Sequence, residues 1–302
     1  MTPMTSARPF AALAAAAALA LAAPAHAQGP ATAAPIPPAA QGLWVNGACS
    51  DPDALLFVTG RAWALLPREG AQELWRVERT DQTGGFTLAV ADDPDRTRLL
   101  LRADGTRLET RTPSAKQADD QLPGDAPAIE WARCAGVPTT LAALHGEGLA
   151  FLGALDGIEA ACAGGEAAPC LAALFGWADL TRDGVLSAAE IARLVRGVTH
   201  VAMLATGTEV GDLAAAVGAS AVGGLAAAYA LIASLDYDAS GTLSLAELLQ
   251  DRSPMPGLAG PASPPAPSVA GPPLAGAALA GQLGALRTLL DQLGPMLGLP
   301  PR

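Results

Sequence analysis

The sequence is poor in the residues on which most catalytic and nucleic-acid sites depend. It has three histidines in 302 residues, and it lacks a Ser-His-Asp spacing, a glycine-rich phosphate loop and a histidine cluster. Lysine and arginine total 18 against 29 aspartates and glutamates, which gives a net charge of −11. Sequence-independent binding of nucleic acid requires basic side chains that neutralise phosphates. We therefore expect neither an enzyme nor a nucleic-acid-binding protein.

Cysteine is also scarce, and its spacing excludes the familiar redox and zinc motifs. The four cysteines are Cys49, Cys134, Cys162 and Cys170, with no thioredoxin-like or zinc-like spacing among them. An even number of cysteines in an exported chain indicates disulfides. Three pairings are available. The pairing of Cys49 with Cys134 and of Cys162 with Cys170 keeps each bridge within one domain.

The amino-terminal segment has the composition of a secretory signal peptide. Arg8 precedes an apolar run over residues 10–23, and Ala25-His26-Ala27 fits the small-x-small cleavage pattern. The run is shorter than the roughly 20 residues that span a bilayer, so a membrane anchor is the less favoured interpretation. We predict that residues 1–27 are removed, that residues 28–41 form a Pro/Ala-rich tether, and that the mature protein is periplasmic or secreted.

Residues 42–135 have the pattern of a small β domain. Short apolar or alternating segments are separated by turns, and Asp104-Gly105 between two of them predicts a hairpin. Six or seven short strands of this kind indicate a small antiparallel barrel or sandwich. Gly42-Leu43-Trp44 is similar to the Gly-x-Trp opening of lipocalin-type barrels, but the domain is short for that family. We expect Trp44 to pack against the floor of a barrel.

Residues 138–252 have helical periodicity, so the predicted fold class is α+β, with a β domain followed by an all-α domain. The uncharged run at residues 213–235 is long enough for a membrane span. Alanine and glycine dominate it, however, and a polar loop begins at residue 236. We expect a buried bundle helix and no membrane association.

The carboxyl-terminal part of the sequence divides into a linker and a helix. Residues 253–274 are rich in proline and glycine, which is typical of a linker. Residues 275–299 carry leucines in alternating steps of four and three, which predicts an amphipathic helix. Such a helix either covers the core of its own domain or binds a protein partner.

Two twelve-residue segments in the helical half carry oxygen-bearing side chains at alternate positions. Residues 179–190 read DLTRDGVLSAAE, and residues 236–247 read DYDASGTLSLAE. Each has glycine at position six, where a sharp turn requires a left-handed backbone, and glutamate at position twelve. Ca²⁺ binds about six to eight oxygen ligands, which a curled loop of this kind provides. Apolar residues at position eight, Leu186 and Leu243, are expected to pair across a short strand.

The two segments resemble the EF-hand family of calcium-binding helix–loop–helix units, and the resemblance covers about residues 167–252. It implies Ca²⁺ as the bound ion and positions one, three, five, seven, nine and twelve of each loop as its ligands, with the backbone carbonyl acting at position seven. These residues are Asp179, Thr181, Asp183, Val185, Ser187, Glu190, Asp236, Asp238, Ser240, Thr242, Ser244 and Glu247.

The loops depart from strong calcium sites in two respects. Each has three carboxylates, and Thr181 stands where the second loop has Asp238, so we expect dissociation constants of roughly 10⁻⁵ to 10⁻³ M. The loop starts lie 57 residues apart, and we expect the excess at residues 201–220 to lengthen the helices between them.

A metal-free interpretation of the loops is also open. Ser187-x-x-Glu190 and Ser244-x-x-Glu247 have the spacing of capping boxes, which would make both segments polar turns before capped helices.

The function that the sequence favours is that of an exported calcium-binding protein, with calcium in a sensor or a structural role. A sensor would bind a protein partner through the helical domain or the C-terminal helix. In the alternative function, the β domain binds a ligand or acts as an inhibitor, and calcium is a structural staple.

Overall fold

The computed structural model describes residues 34–164 and 166–250. In these residues a closed eight-stranded antiparallel barrel precedes five helices, which confirms the α+β class and selects the barrel over the sandwich. The predicted signal peptide (1–27), linker (253–274) and C-terminal helix (275–299) lie outside the described residues. The barrel strands are β1 (Gly42–Ala48), β2 (Asp51–Val58), β3 (Ala62–Pro67), β4 (Ala71–Thr83), β5 (Phe86–Ala91), β6 (Arg98–Asp104), β7 (Arg107–Arg111) and β8 (Ala128–Ala132).

Each barrel strand pairs with its neighbours in the chain, and β8 pairs with β1 to close the sheet. The strands are joined by tight turns of the kind that the sequence predicts. Gly84 and Gly85 between β4 and β5 both have positive φ, 55° and 79°, which a residue with a side chain rarely adopts. Asp104 pairs with Arg107 across the predicted Asp-Gly hairpin.

The seam that closes the barrel is its shortest ladder. Strands β1 and β8 pair at one position, Val45 with Ala132, whereas β1 and β2 pair at seven. The amide of Asn46 adds a hydrogen bond of 2.9 Å to the carbonyl of Glu130 across the seam. The Cys49–Cys134 disulfide joins the two chain segments just beyond it, as predicted. The covalent bond therefore holds the barrel where its backbone pairing is sparsest.

The lumen of the barrel is filled by side chains. Trp44 is fully buried, its indole N–H donates to the carbonyl of Ala40 at 2.8 Å, and the guanidinium of Arg133 stacks 4.1 Å from its ring centre. The interpretation of Trp44 as a packing residue is confirmed. Ile36, which lies within the predicted tether, is also fully buried in this core, so the barrel domain begins before Gly42. The lumen is completed by Leu56, Val58, Trp63, Ala89, Ala91, Leu99, Leu101, Leu108 and Trp131.

Five described helices follow the barrel, and the first and third of them pack on its outer face. The five helices are α1 (Thr139–Cys162), α2 (Ala167–Ala178), α3 (Ala188–Leu204), α4 (Val210–Leu235) and α5 (Leu245–Gln250). The apolar side of α1, including Leu152 and Ile158, meets Val45, Leu55 and Leu66 on the outside of β1 to β3. Both faces of these strands are therefore covered, which explains why residues 54–58 are continuously apolar instead of alternating. At the carboxyl-terminal end of α1, the predicted Cys162–Cys170 disulfide joins this helix to α2.

The connection between α3 and α4 is also attached to the barrel. Thr208 and Glu209 form a short strand, β10 (Thr208–Glu209), that pairs antiparallel with Gln72 and Ala71 at the start of β4. The excess residues between the two loops thus lengthen both helices, as predicted, and also supply this strand.

Two histidines meet inside the helical domain. His145 on α1 and His200 on α3 are 3% and 1% exposed, and their ring nitrogens Nδ1 and Nε2 lie 3.1 Å apart. Among the described residues, the other ring nitrogen of His200 has no hydrogen-bond partner. Burial lowers the pKa of both imidazoles from 6.5 to about 4, and the neighbouring His145 contributes to the lowering in His200. The pair is therefore neutral at physiological pH.

This pair predicts a loss of stability in mild acid. Between pH 6.5 and about 4 the unfolded chain binds protons on both histidines and the folded chain does not, so the free energy of unfolding falls as the pH decreases. The loss is on the order of 3 kcal/mol for each histidine. Urea unfolding at a series of pH values measures it. The variant His145→Gln with His200→Gln should lose most of this pH dependence, and an equally steep dependence in the variant would contradict the assignment.

Candidate metal centres

Each predicted loop begins where a helix ends. Asp179 follows α2 and its N–H donates to Phe175 at 2.8 Å, and Asp236 follows α4 and its N–H donates to Ile232 at 2.9 Å. Phe175 and Ile232 are buried in the same apolar cluster. In both loops a buried apolar residue lies four positions before the first aspartate. Both loops therefore leave their helices with the same geometry.

The two loops pair with each other. Strands β9 (Val185–Leu186) and β11 (Leu243–Ser244) are antiparallel, with Leu186 opposite Leu243. Both leucines are buried, 4% and 1% exposed, in the cluster that also contains the anchors at the ends of α2 and α4. The predicted pairing at position eight is confirmed. The pairing fixes the loops back to back, so the position of one constrains the other.

In the first loop, Asp179 organises the backbone at the amino-terminal side. Its Oδ1 accepts hydrogen bonds from the N–H of Arg182 at 2.6 Å and of Asp183 at 3.3 Å, and its Oδ2 accepts from the N–H of Gly184 at 3.0 Å. Gly184 has a φ of +83°, as position six requires. The chain is therefore curled around the carboxylate of the first residue.

The closing glutamate of the first loop is surrounded by donors. Its Oε1 accepts from the N–H of Leu180 at 2.9 Å and from the N–H and hydroxyl of Thr181, both at 3.0 Å. Its Oε2 accepts from the N–H and hydroxyl of Ser187 at 2.9 and 2.8 Å, and the hydroxyl of Ser187 accepts from the N–H of Glu190, which completes the predicted capping box. Both carboxylate oxygens of Glu190 are thus engaged by the loop itself.

The second loop has the same backbone arrangement, and its carboxylates lie closer together. The N–H of Gly241 donates to Oδ2 of Asp236 at 2.7 Å, and Gly241 has a φ of +81°. Oxygen atoms of Asp236, Asp238 and Glu247 all lie within 4.8 Å of one another, a separation that one cation can bridge. In the described part of the chain, the three carboxylates of the first loop, which lie at positions one, five and twelve, form no such group.

Ser240 and Thr242 extend the oxygen set of the second loop. The hydroxyl of Ser240 donates to the backbone carbonyl of Thr242 at 3.3 Å and also lies 3.5 Å from Oδ1 of Asp236. The side chains at positions one and five and the carbonyl at position seven therefore converge on one region. Glu247 accepts from the N–H and hydroxyl of Ser244, both at 2.8 Å, so this loop has a capping arrangement as well.

Hydrogen bonds keep these carboxylates ionised. Burial alone would raise the pKa of Glu190, but donors from Ser187 and Thr181 lower it to about 2. The N–H and hydroxyl of Ser244 lower the pKa of Glu247, and the N–H of Gly241 lowers that of Asp236. A cation that binds at neutral pH therefore does not compete with protons at these groups.

The charge of the two loops differs. The second loop has three carboxylates and no basic side chain, a net charge of −3, whereas Arg182 reduces the net charge of the first loop from −3 to −2. Calcium prefers oxygen ligands, and the second loop provides them in the denser cluster. It also attracts a cation more strongly than the first loop does.

Two features of the loops were not predicted from the sequence. The backbone N–H at position two, from Leu180 and Tyr237, donates to the closing glutamate of its loop. Position four, Arg182 and Ala239, adopts a left-handed backbone with a φ of +59° in both loops. The residue types do not indicate these roles. Position two acts through its main-chain N–H, and the residues at position four have no preference for positive φ.

Comparison of the chain with protein-family models, with curated proteins and with solved structures found no match. A function for this chain therefore depends on the geometry and donor chemistry of the two loops.

Proposed function

We propose that this is an exported calcium-binding protein in which two paired loops, residues 179–190 and 236–247, bind Ca²⁺ and stabilise the helical domain. The predicted signal peptide and the two disulfides support export, because disulfides persist in oxidising compartments. A periplasmic or secreted location follows from the same features.

The observation that carries the proposal is the convergence of Asp236, Asp238 and Glu247. Three carboxylates within 4.8 Å repel one another unless a cation or hydrogen bonds compensate them. Backbone donors compensate each of them only in part, since a carboxylate has about four acceptor positions. A hard divalent cation with oxygen ligands fits this arrangement, and extracellular calcium is abundant enough to occupy a site of modest affinity.

The two loops are proposed to differ in affinity. The closing glutamates of both loops accept hydrogen bonds at both oxygens, but in the described residues only the second loop brings three carboxylates together. The first loop also carries Arg182. We therefore assign the tighter binding step to the second loop. The calcium dissociation constants of both loops are expected to lie in the range of roughly 10⁻⁵ to 10⁻³ M.

Substitution of the closing glutamates tests this assignment. Glutamine serves in a capping box as glutamate does, so Glu247→Gln retains a cap and removes a charged bidentate ligand. Isothermal titration of the full chain should show two steps, and Glu247→Gln should weaken the tighter step by at least about tenfold. The matched variant Glu190→Gln should weaken only the other step.

The outcomes of this titration separate calcium binding from the metal-free interpretation. If the wild-type protein takes up no Ca²⁺ at millimolar concentrations, both loops are capped turns and the proposal fails. If Glu190→Gln abolishes the tighter step, the order of the two loops is reversed.

We propose a structural role for calcium over a sensor role. An opening motion of the paired helix–loop–helix units would have to break the pairing of β10 with β4 and the packing of α3 on α1. Saturating calcium should therefore raise the midpoint of thermal unfolding without increasing the binding of an apolar dye. For a site with a dissociation constant near 10⁻⁴ M, 10 mM calcium adds about 2.7 kcal/mol to the free energy of unfolding. A calcium-dependent increase in dye binding would instead indicate a sensor.

The alternative function, in which the β domain binds a ligand or inhibits another protein, has less support. The lumen is filled by tryptophan and aliphatic side chains, and the gap at one end, beside Pro37, Thr87 and Leu101, is about 170 Å³. Pockets for small molecules usually have volumes of about 300–1,000 Å³. A ligand of the β domain would therefore have to bind to its loops or outer surface.

A further inference from the structure

One side of α4 is apolar and exposed. Val222, Leu225 and Tyr229 lie at steps of three and four and are 77%, 42% and 61% exposed. The opposite side of the helix, which includes Gly224 and four further buried residues, packs into the helical domain. We refer to Val222, Leu225 and Tyr229 as the α4 stripe.

The α4 stripe differs from ordinary surface. Residues 213–235 include no charged side chain, so this stretch of α4 has no charged rim. Soluble proteins rarely leave contiguous apolar patches of more than a few hundred Å² exposed unless another molecule or segment covers them. By length and composition, α4 is also one of two described helices that could cross a membrane, and only 22% of its most apolar window is buried. The packing of one side of α4 against the helical domain favours a protein occupant over lipid.

The chain contains a segment of matching chemistry beyond α5. Residues 275–299 carry leucines at 279, 283, 286, 290, 293 and 297, at the same alternation of three and four that the α4 stripe shows. From Leu279 to Leu293, a helix would extend about 21 Å, and the uncharged exposed side of α4 runs from Ala215 through the α4 stripe to Ala233, about 27 Å. Side chains of α4 at steps of three and four, flanked by alanine and glycine along an uncharged side, provide ridges and grooves into which a leucine stripe of the same period can pack.

Charge also favours this occupant. The segment 275–299 has two charged residues, Arg287 and Asp291, and neither occupies a position of the leucine stripe. An uncharged stripe facing an uncharged helix surface leaves no charge to desolvate on either side. A partner recognised through salt bridges would find no counter-charge on α4 between residues 213 and 235.

The linker is long enough for the segment to reach α4. Residues 251–278 comprise 28 residues, for which a flexible chain has an end-to-end distance of about 29 Å. Helix α5 begins ten residues beyond the end of α4 and shares an apolar cluster with the carboxyl-terminal end of α4. The linker follows α5 and therefore starts near that end of α4. Because the segment is tethered, its docking on α4 is intramolecular and does not depend on protein concentration.

We propose that residues 275–299 dock on the α4 stripe of the same chain and complete the helical domain. This inference goes beyond calcium binding and does not depend on it.

Photo-crosslinking of the full-length protein tests the proposal. The photoreactive amino acid p-benzoylphenylalanine, placed at position 229, replaces an exposed tyrosine with another aromatic side chain. Irradiation should give a crosslink to residues 275–299 within a product of monomer mass, identified by peptide mass spectrometry. The matched control places the same amino acid at position 180, where Leu180 is 66% exposed in the first loop, and should give no crosslink to that segment.

A second variant shows whether the leucine stripe is the cause. In the full chain that carries the photoreactive residue at position 229, Leu283→Glu with Leu290→Glu should reduce the crosslink at least tenfold. Retention of the crosslink in this variant would overturn the proposal. So would a product of dimer mass, a crosslink to the lipid of added phosphatidylglycerol vesicles, or the absence of any crosslink to residues 275–299.

Discussion

Replacing Cys49 and Cys134 together by alanine is expected to lower the free energy of unfolding by about 4–5 kcal/mol. The bond connects residues separated by 85 positions, and the chain-entropy relation predicts a stabilisation that grows with the size of the closed loop. It also holds the seam between β1 and β8, where the strands pair at Val45 and Ala132. Denaturant unfolding of the oxidised wild type and of the double variant, at equal calcium concentration, measures the difference.

The second disulfide provides the control for this prediction. Cys162 and Cys170 are separated by 8 positions, so the same relation predicts a loss of about 2–3 kcal/mol when both are replaced by alanine. The barrel bridge should thus contribute more than the helical bridge. If the second pair proved the more stabilising, the seam would not be the place where the fold depends on a covalent bond.

Replacing Gly148 by alanine is expected to destabilise the protein by about 3 kcal/mol. A Cβ at this position on α1 would lie 2.1 Å from the ring atoms of His200, which is far inside van der Waals contact. The imidazole is buried and hydrogen-bonded to His145, so it cannot move aside without breaking that contact. Overpacking of this kind in a closed core costs about 1–3 kcal/mol and occasionally more. Thermal or denaturant unfolding measures the loss.

A second glycine on the same helix is the matched control. Gly157 is exposed, and a Cβ there would meet nothing within 4 Å. Gly157→Ala should therefore stabilise the protein by about 0.5–1 kcal/mol through helix propensity. If Gly148→Ala were equally harmless, α1 and α3 would not pack as closely as the structure shows.

Much of the fold could be predicted from residues whose chemistry is local. Asp104-Gly105 between two strands predicts a hairpin. The two twelve-residue loops are predicted from the residue types at their own positions. The disulfide pairing followed from the division into two domains. The hairpin and the loops depend on neighbours in the sequence, which the sequence displays directly.

The features that were missed depend on distant neighbours. The barrel has eight strands where the sequence indicates six or seven; β1 contains Gly42 and Gly47, which weaken its pattern, and it is held by pairing with β2 and β8. The burial of Ile36 could not be read from an Ala/Pro-rich segment, because it requires the open end of a barrel to receive it. The contact of His145 with His200 joins residues 55 positions apart on two helices. Of the candidate site, the side-chain ligands were readable, whereas the main-chain donors that hold the closing glutamates were not.

The pairing of β10 with β4 has a consequence for what happens when the chain is shortened. Strands β3 and β4 pair from Glu73 onward and β4 and β5 from Val77 onward, so Ala71 and Gln72 extend beyond both neighbours and are covered by Thr208 and Glu209. A fragment that ends before residue 139 would lack both β10 and the helices, so this backbone edge would be bare next to outer barrel leucines that α1 and its neighbours normally cover. Such a fragment is a template for strand addition between molecules, and we expect it to associate into oligomers instead of persisting as a lone barrel.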